Sequence, residues 1–233
     1  MQIGSIEWKK LVYDGAQDLE IHVDSDKVEK FTTHAMELAK WNRKMNLTAI
    51  TDPVEVAVKH FLDSIAPDSM IPSNTSLLDI GSGSGFPGIP LKILNPSLSV
   101  TLIDASRKKV SFLKHIIRIL GLENIEALHV RSEEFSKQAV FVGSFNAIIS
   151  RALSSTPEFF LMALPLLDKN GIIIAMKGKR SKAGIESVRS LIHKKTDMKD
   201  ENRTKIELRL KTYTLPYLKL ERSIVILKRV RHP

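Results

Sequence analysis

The stretch Leu77-Leu78-Asp79-Ile80-Gly81-Ser82-Gly83-Ser84-Gly85-Phe86-Pro87-Gly88 carries an apolar strand into alternating glycines and then into a helix. Glycine lets a backbone turn sharply and come close to a ligand, and the helix that follows presents unpaired N–H groups and a partial positive charge. A nucleotide-like cofactor suits such a loop. Gly83, Gly85 and Gly88 formally satisfy the G-x-G-x-x-G expression of dinucleotide-binding loops. Counted from the strand end, the frame is instead Gly81-x-Gly83-x-Gly85, followed by Phe86-Pro87, and that register is not expected to offer the tight helix–strand contact of a third dinucleotide glycine. A structural turn without a ligand is the plain alternative.

The next strand ends on Thr101-Leu102-Ile103-Asp104, which places a carboxylate 23 positions after Gly81. A carboxylate there accepts the ribose hydroxyls of an adenosine moiety. The competing reading is a loop acid capping the helix that begins near Ser106.

Outward from this point, short apolar runs alternate with helical stretches, the pattern of a parallel sheet covered by helices. The expected strands are Leu77–Ile80, Ser99–Ile103, Ile125–Val130, Ala147–Ser150 and Ile172–Met176, followed by an antiparallel pair, Ile206–Thr214 and Arg222–Arg229. Lys108–Leu120 carries an apolar face that Gly121 ends. Before the sheet, Asp24, Ser25 and Asp26 cap a helix with Val28, Phe31, Ala35 and Leu38 at helical spacing. Asp52 and Pro53 open another, whose apolar stripe is Val54, Val58, Phe61, Leu62 and Ile65 and which leaves His60 on the polar side near Asp63 and Ser64. The fold class is therefore α/β, a Rossmann-like, mostly parallel sheet with a C-terminal antiparallel hairpin. Residues 1–72 are expected to form a small N-terminal helical attachment and 73–233 the catalytic domain. Between Gly178 and Lys205 the chain is highly charged, and a helix is assigned at Ile185–Lys194.

Composition narrows the chemistry. The chain of 233 residues has no cysteine, which excludes disulfides, cysteine–zinc sites and covalent thiol catalysis. No spacing of histidines and acids suits a metal, and no apolar run approaches a membrane span, so a cytoplasmic protein is expected. Lysine and arginine outnumber aspartate and glutamate by 35 to 26, a formal charge of +9, which fits an anionic partner or a basic solvated surface.

Three strings, Trp41-Asn42-Arg43-Lys44-Met45-Asn46-Leu47-Thr48, the loop Gly81 to Pro90, and Ile149-Ser150-Arg151-Ala152, together resemble the small-subunit ribosomal RNA methyltransferase G family, also called glucose-inhibited division protein B. The resemblance runs from about Trp41 to Gly178. It implies an S-adenosylmethionine-dependent enzyme that methylates N7 of one guanine in 16S ribosomal RNA, acting on that RNA or on the small ribosomal subunit; a monomer is expected. It further implies that Gly81, Gly83, Gly85 and Phe86 line the cofactor site, that Asp104 holds the ribose and that Ser132 and Glu133 flank the adenine. Arg151 falls where cofactor and RNA meet, and Arg131 and Lys177 match basic positions facing the substrate. Ser84, where relatives often carry alanine or proline, is a small departure.

The chemistry asks little of the protein. The methyl group comes already activated by its sulfonium, so in-line positioning is the main task. Guanine N7 attacks through a ring lone pair and loses no proton, so no general base is named. Exocyclic-amine enzymes usually show Asn or Asp before Pro-Pro-aromatic after the fourth strand, where this chain has Ser150-Arg151-Ala152-Leu153. A guanidinium there suits bidentate oxyanion contacts; a salt bridge to a helix acid is the alternative. Lys177, Lys179 and Arg180 are read as RNA contacts at the ligand end of the fifth strand. Asn42, Asn46 and His60 are weaker RNA candidates, with Asn46 equally able to end its helix. Arg107, Lys108, Lys109, Lys114 and Arg118 read equally as a phosphate-tracking face or as a solvated one. The rival functions are a methyltransferase for a small molecule or protein, a dinucleotide oxidoreductase, and a non-catalytic RNA-binding assembly factor.

Overall fold

The computed structural model describes residues 1–151, 155–178, 188 and 205–230. Helix α1 (Ile6–Asp18) is opened by Ser5, whose hydroxyl accepts the Trp8 N–H. Asp24 does the same for α2 (Ser25–Met45) through the Lys27 N–H, and Asn46 ends that helix at φ 49°, a left-handed conformation that asparagine tolerates. Asp52 and Pro53 start α3 (residues 53–65), whose central stretch Val56–Leu62 is wound as a π-helix between the α-helical turns Pro53–Glu55 and Asp63–Ile65.

Seven strands follow: β1 (Ser76–Ile80), β2 (Ser99–Asp104), β3 (Ile125–His129), β4 (Phe145–Arg151), β5 (Leu167–Lys177), β6 (Lys205–Thr214) and β7 (Glu221–Val230). They form one sheet in the order β3-β2-β1-β4-β5-β7-β6. The first five are parallel, and β7 runs antiparallel to β5 and β6. Helices α4 (Gly88–Leu94), α5 (Arg107–Ile119), α6 (Ser132–Phe135) and α7 (Thr156–Ala163) lie in the crossovers. The alternation and the terminal hairpin expected from the sequence are both present. Lys179, Arg180, Ala152 and the helix assigned at Ile185–Lys194, except Val188, lie outside the described residues.

Strand β1 is buried on both faces, as a central parallel strand must be. Leu77 joins a core that contains Trp8, Phe31, Phe61, Ile89 and Phe112, whereas Leu78 joins a second core with Phe135, Ile148 and Phe160. Helices α1 to α3 thus pack into the same apolar core as α4, α5 and one face of the sheet. Among the described residues no helix is long and apolar enough to cross a membrane.

Candidate functional site

The strand order reverses at β1, with β2 on one side and β4 on the other, and ligands of open α/β sheets bind beyond the strand ends at such a point. Pairing of Ile80 with Ile103 brings the glycine loop beside Asp104, and Arg151 lies opposite Met176. Gly81, Gly83 and Gly85 have φ of 73°, 58° and 95°. A Cβ on Gly83 would meet nothing nearer than the Gly81 carbonyl oxygen at 3.9 Å, so this part of the loop faces open space.

Asp104 holds that loop in place. Its Oδ2 accepts the Gly83 N–H at 2.9 Å and its Oδ1 the Ser106 N–H at 2.8 Å. The carboxylate therefore ties the turn into α5, and each oxygen keeps acceptor capacity for a ligand hydroxyl. The expectation that the loop lacks a tight helix–strand contact is corrected at Gly88. A Cβ there would lie 2.4 Å from Leu102 Cδ2 and 2.7 Å from Asp79 Oδ2, so Gly88 is the residue that lets α4 close on β2.

In the sequence Asp79 stands out only as part of the strand. Its Oδ2 accepts the Gly88 N–H at 2.9 Å, but its buried Oδ1 has no hydrogen-bond partner. Burial pushes its carboxyl up to about 7, against the pull of the Gly88 N–H and of Arg151. A half-satisfied buried carboxylate beneath a ligand loop is costly for the fold by itself and suits a site completed by a cationic group. The available signal was an acid inside an otherwise apolar strand.

Phe86 turns its ring into the interior. It is stacked between His34 and His60, with centroid separations of 4.7 Å and 4.4 Å and planes within 7° and 6°, and Phe61 meets its edge at 5.2 Å. His34 Nε2 donates to the Ser84 carbonyl at 2.8 Å, fastening α2 to the glycine loop, while its buried Nδ1 lacks a partner. Burial lowers His34 to about 4; burial, with the Arg151 charge next, lowers His60 to about 3. Both rings are therefore neutral near pH 7. Nothing in the sequence singles out His34 beyond its place on α2.

The placement of His60 on a polar helix face is corrected as well. His60, Asp63 and Ser64 are all buried. A π-helical turn advances each residue through a smaller angle than an α-helical one, so positions counted at 3.6 residues per turn rotate inward. The Asn42 side chain clamps the following loop: Oδ1 accepts the Leu47 and Thr48 N–H groups at 2.6 Å and 2.9 Å, and Nδ2 donates to the Thr48 carbonyl at 3.0 Å. Asn46 is exposed at the helix end.

Arg151 also faces inward. Its Nη1 donates to the Lys59 carbonyl at 2.6 Å and lies 3.6 Å from Asp63 Oδ2; Nη2 is 3.4 Å from His60 Nδ1, and the guanidinium sits 5.3 Å from the Phe86 ring centroid. Asp63 in turn accepts the Tyr213 hydroxyl at 2.7 Å and pairs with Arg222 Nε at 3.4 Å. The salt bridge to a helix acid is thus formed, but in the interior rather than on the surface. Burial lowers the Arg151 pKa, offset in part by Asp63 and then Asp79.

Ser132 and Glu133 open α6 just past the end of β3, and with Ser155, Glu158, Phe159 and Met162 they line a cleft of about 470 Å³. Arg131 beside them is exposed, and Lys177 is half-buried at the end of β5, where burial lowers its pKa.

The chain matches the family described as rRNA small subunit methyltransferase G over residues 27–208. It is 46% identical over 184 residues to the ribosomal RNA small subunit methyltransferase G of Geotalea uraniireducens (strain Rf4), covering 79% of this chain and 83% of that one. The protein of the same description from Geobacter sulfurreducens is 38% identical over 216 residues, 93% of this chain and 95% of the relative. Among solved structures, a SAM dependent methyltransferase from Aquifex aeolicus superposes with a TM-score of 0.56 at 16% identity, over 78% of this chain and 97% of that one. That likeness concerns the fold alone.

Proposed function

Because the chain belongs to the rRNA small subunit methyltransferase G family, we propose that it methylates N7 of one guanine in 16S ribosomal RNA, on the free RNA or the small subunit, with S-adenosylmethionine as cofactor. The observation that carries the reading is the crevice at the β1–β4 reversal. There an open glycine loop is held by the Asp104 carboxylate above the orphaned Oδ1 of Asp79. These groups fit the cofactor: loop backbone at Gly81, Gly83, Gly85 and Phe86, Asp104 for the ribose, Ser132 and Glu133 beside the adenine, and Asp79 toward its cationic amino-acid end. When bound, S-adenosylmethionine supplies a methyl group already activated by its sulfonium.

The residues around it position rather than transfer protons. Guanine N7 has no proton to lose, and the neutral, buried His34 and His60 are arranged as packing partners of Phe86. Arg151, anchored by Asp63 and the Lys59 carbonyl, acts as a positioning residue between the end of β4 and α3. Arg131, Lys177, Lys179, Arg180 and exposed Asn46 are assigned to the RNA side, and Asn42 and His60 shape the 46–52 loop from within.

The test is transfer of labelled methyl from S-adenosylmethionine to ribosomal RNA from cells lacking the endogenous activity, followed by mapping of the modified base. Label on one small-subunit guanine N7 is expected. Cofactor binding with no label on any RNA, free or within the small subunit, would overturn the substrate and leave a methyltransferase for smaller molecules.

A further inference from the structure

We propose that the outward face made by the end of α2 and the length of α5 is the surface that tracks the phosphates of the RNA substrate; this rests on the RNA-methyltransferase reading above. The two helices lie side by side. Trp41 packs on Phe112 and His115 at 5.6 Å and 5.0 Å, and Lys108 Nζ donates to the Met45 carbonyl at 2.7 Å, pinning the end of α2 to the start of α5. Lys40, Lys44, Arg107, Lys108, Lys114 and Arg118 are all exposed.

Helix α5 contains no carboxylate, and neither does α2 after Glu37. Glu37 is already engaged, 2.7 Å from His115 Nε2 and 3.4 Å from Lys40 Nζ. Among the described residues, Lys44, Arg107, Lys114 and Arg118 have no ion-pair partner. A solvated helix face usually mixes signs, with acids and bases paired a turn apart. This one is uncompensated, so its charge is available to an anion.

Position ties the face to the site. Helix α5 begins at Arg107, three residues after Asp104, and Asp104 itself fixes the backbone of Ser106. Arg107, Lys114 and Arg118 recur at intervals of seven and four residues, which spaces them about 10 Å and about 6 Å along one stripe of the helix. A phosphate chain following that stripe runs straight to the cofactor crevice. Of the three residues expected from the sequence to touch RNA, Asn42 and His60 spend their polar atoms inside the protein, and only Asn46 is exposed.

The test compares two variants of equal net charge. One carries Arg107→Ala, Lys114→Ala and Arg118→Ala; the other carries Lys30→Ala, Lys169→Ala and Lys211→Ala, three exposed lysines away from the face. Equilibrium binding of 16S ribosomal RNA is measured over a salt series, with KM for that RNA and calorimetric affinity for S-adenosylmethionine alongside. The face variant is expected to lower the slope of log K against log salt by about 2 to 3, since each lost phosphate contact removes about 0.7 to 0.9. Its KM for RNA is expected to rise tenfold or more, with cofactor affinity kept. Equal slopes and KM values in the two variants, while the unmodified chain methylates RNA, would overturn the face alone. Failure of the unmodified chain to bind or methylate RNA, free or within the small subunit, would overturn the face together with the reading beneath it.

Discussion

Replacing Asp104 tests the site at its most constrained point. Asp104→Ala removes an acceptor of two backbone N–H groups, at 2.9 Å and 2.8 Å, together with the proposed ribose contact. A hydrogen bond to a charged acceptor contributes about 1.5–3 kcal/mol. For the ribose contact alone this corresponds to cofactor binding weaker by about tenfold to a hundredfold. The freed N–H groups of Gly83 and Ser106 sit at the mouth of the crevice, where water replaces part of what they lose. Stability should therefore fall by about 3 kcal/mol, or about 6–12 °C in Tm for a chain of this size. Asp104→Asn keeps one acceptor oxygen for the loop but loses the charge, so it should weaken binding about tenfold while Tm falls by less. Calorimetric titration with S-adenosylmethionine and S-adenosylhomocysteine, beside thermal unfolding, reads both quantities. Unchanged affinity for both ligands in Asp104→Asn would refute the assignment of the ribose to this carboxylate, whatever happened to Tm.

Asp63→Ala leaves the partly buried Arg151 and Arg222 without their shared carboxylate, and should cost about 2–3 kcal/mol in urea unfolding, partly recovered by adding Arg222→Met; a loss below about 1 kcal/mol would contradict the network. His34→Ala opens a cavity beneath Phe86 and deprives the Ser84 carbonyl of its donor, for about 3 kcal/mol of stability and a measurable loss of cofactor affinity. His34→Gln should recover part of that affinity, and wild-type binding by His34→Ala would show that the loop does not need the ring. The pH dependence of stability is set by opposing groups. His34 and His60, lowered to about 4 and about 3, contribute stability that is complete above their unfolded pKa of about 6.5 and is lost as the pH falls. From about pH 7.5 to about 5.5 the two together lose about 3 kcal/mol. Asp79, raised to about 7, works the other way and returns about 2 kcal/mol over the same interval, because the fold takes up its proton first. The wild type should lose only about 1 kcal/mol and Asp79→Asn about 3 kcal/mol; identical pH profiles in chemical denaturation would show that Asp79 is not the opposing group.

Much of this is legible in the sequence. The alternation of apolar runs and helices foretold the parallel strands from Leu77 onward, because strand and helix periods are local properties of the chain. Asp52 followed by Pro53 marked the start of α3, and the capping geometry agrees. The glycine loop and the carboxylate at Asp104 were readable because both sit at fixed distances from a strand end, and the sheet only had to bring two adjacent strands into register.

What the sequence could not decide was which way polar side chains point once distant segments meet. The direction of Arg151 depends on Lys59, His60 and Asp63, about ninety residues away in the chain, and on β6 and β7 delivering Tyr213 and Arg222 to the same acid. An α-helical period puts His60 on the polar face, whereas the stretch winds as a π-helix, where each residue turns less and the polar positions rotate inward. The orphaned oxygen of Asp79, the tight approach of Gly88 to Leu102 and the stacking of Phe86 between two histidines follow from packing among β1, β2, α2 and α3. Local periodicity and end-of-strand chemistry therefore determined the fold class and the ligand loop. Contacts between segments far apart in the chain decided which charges are spent inside the protein and which remain on α5 for an anionic partner.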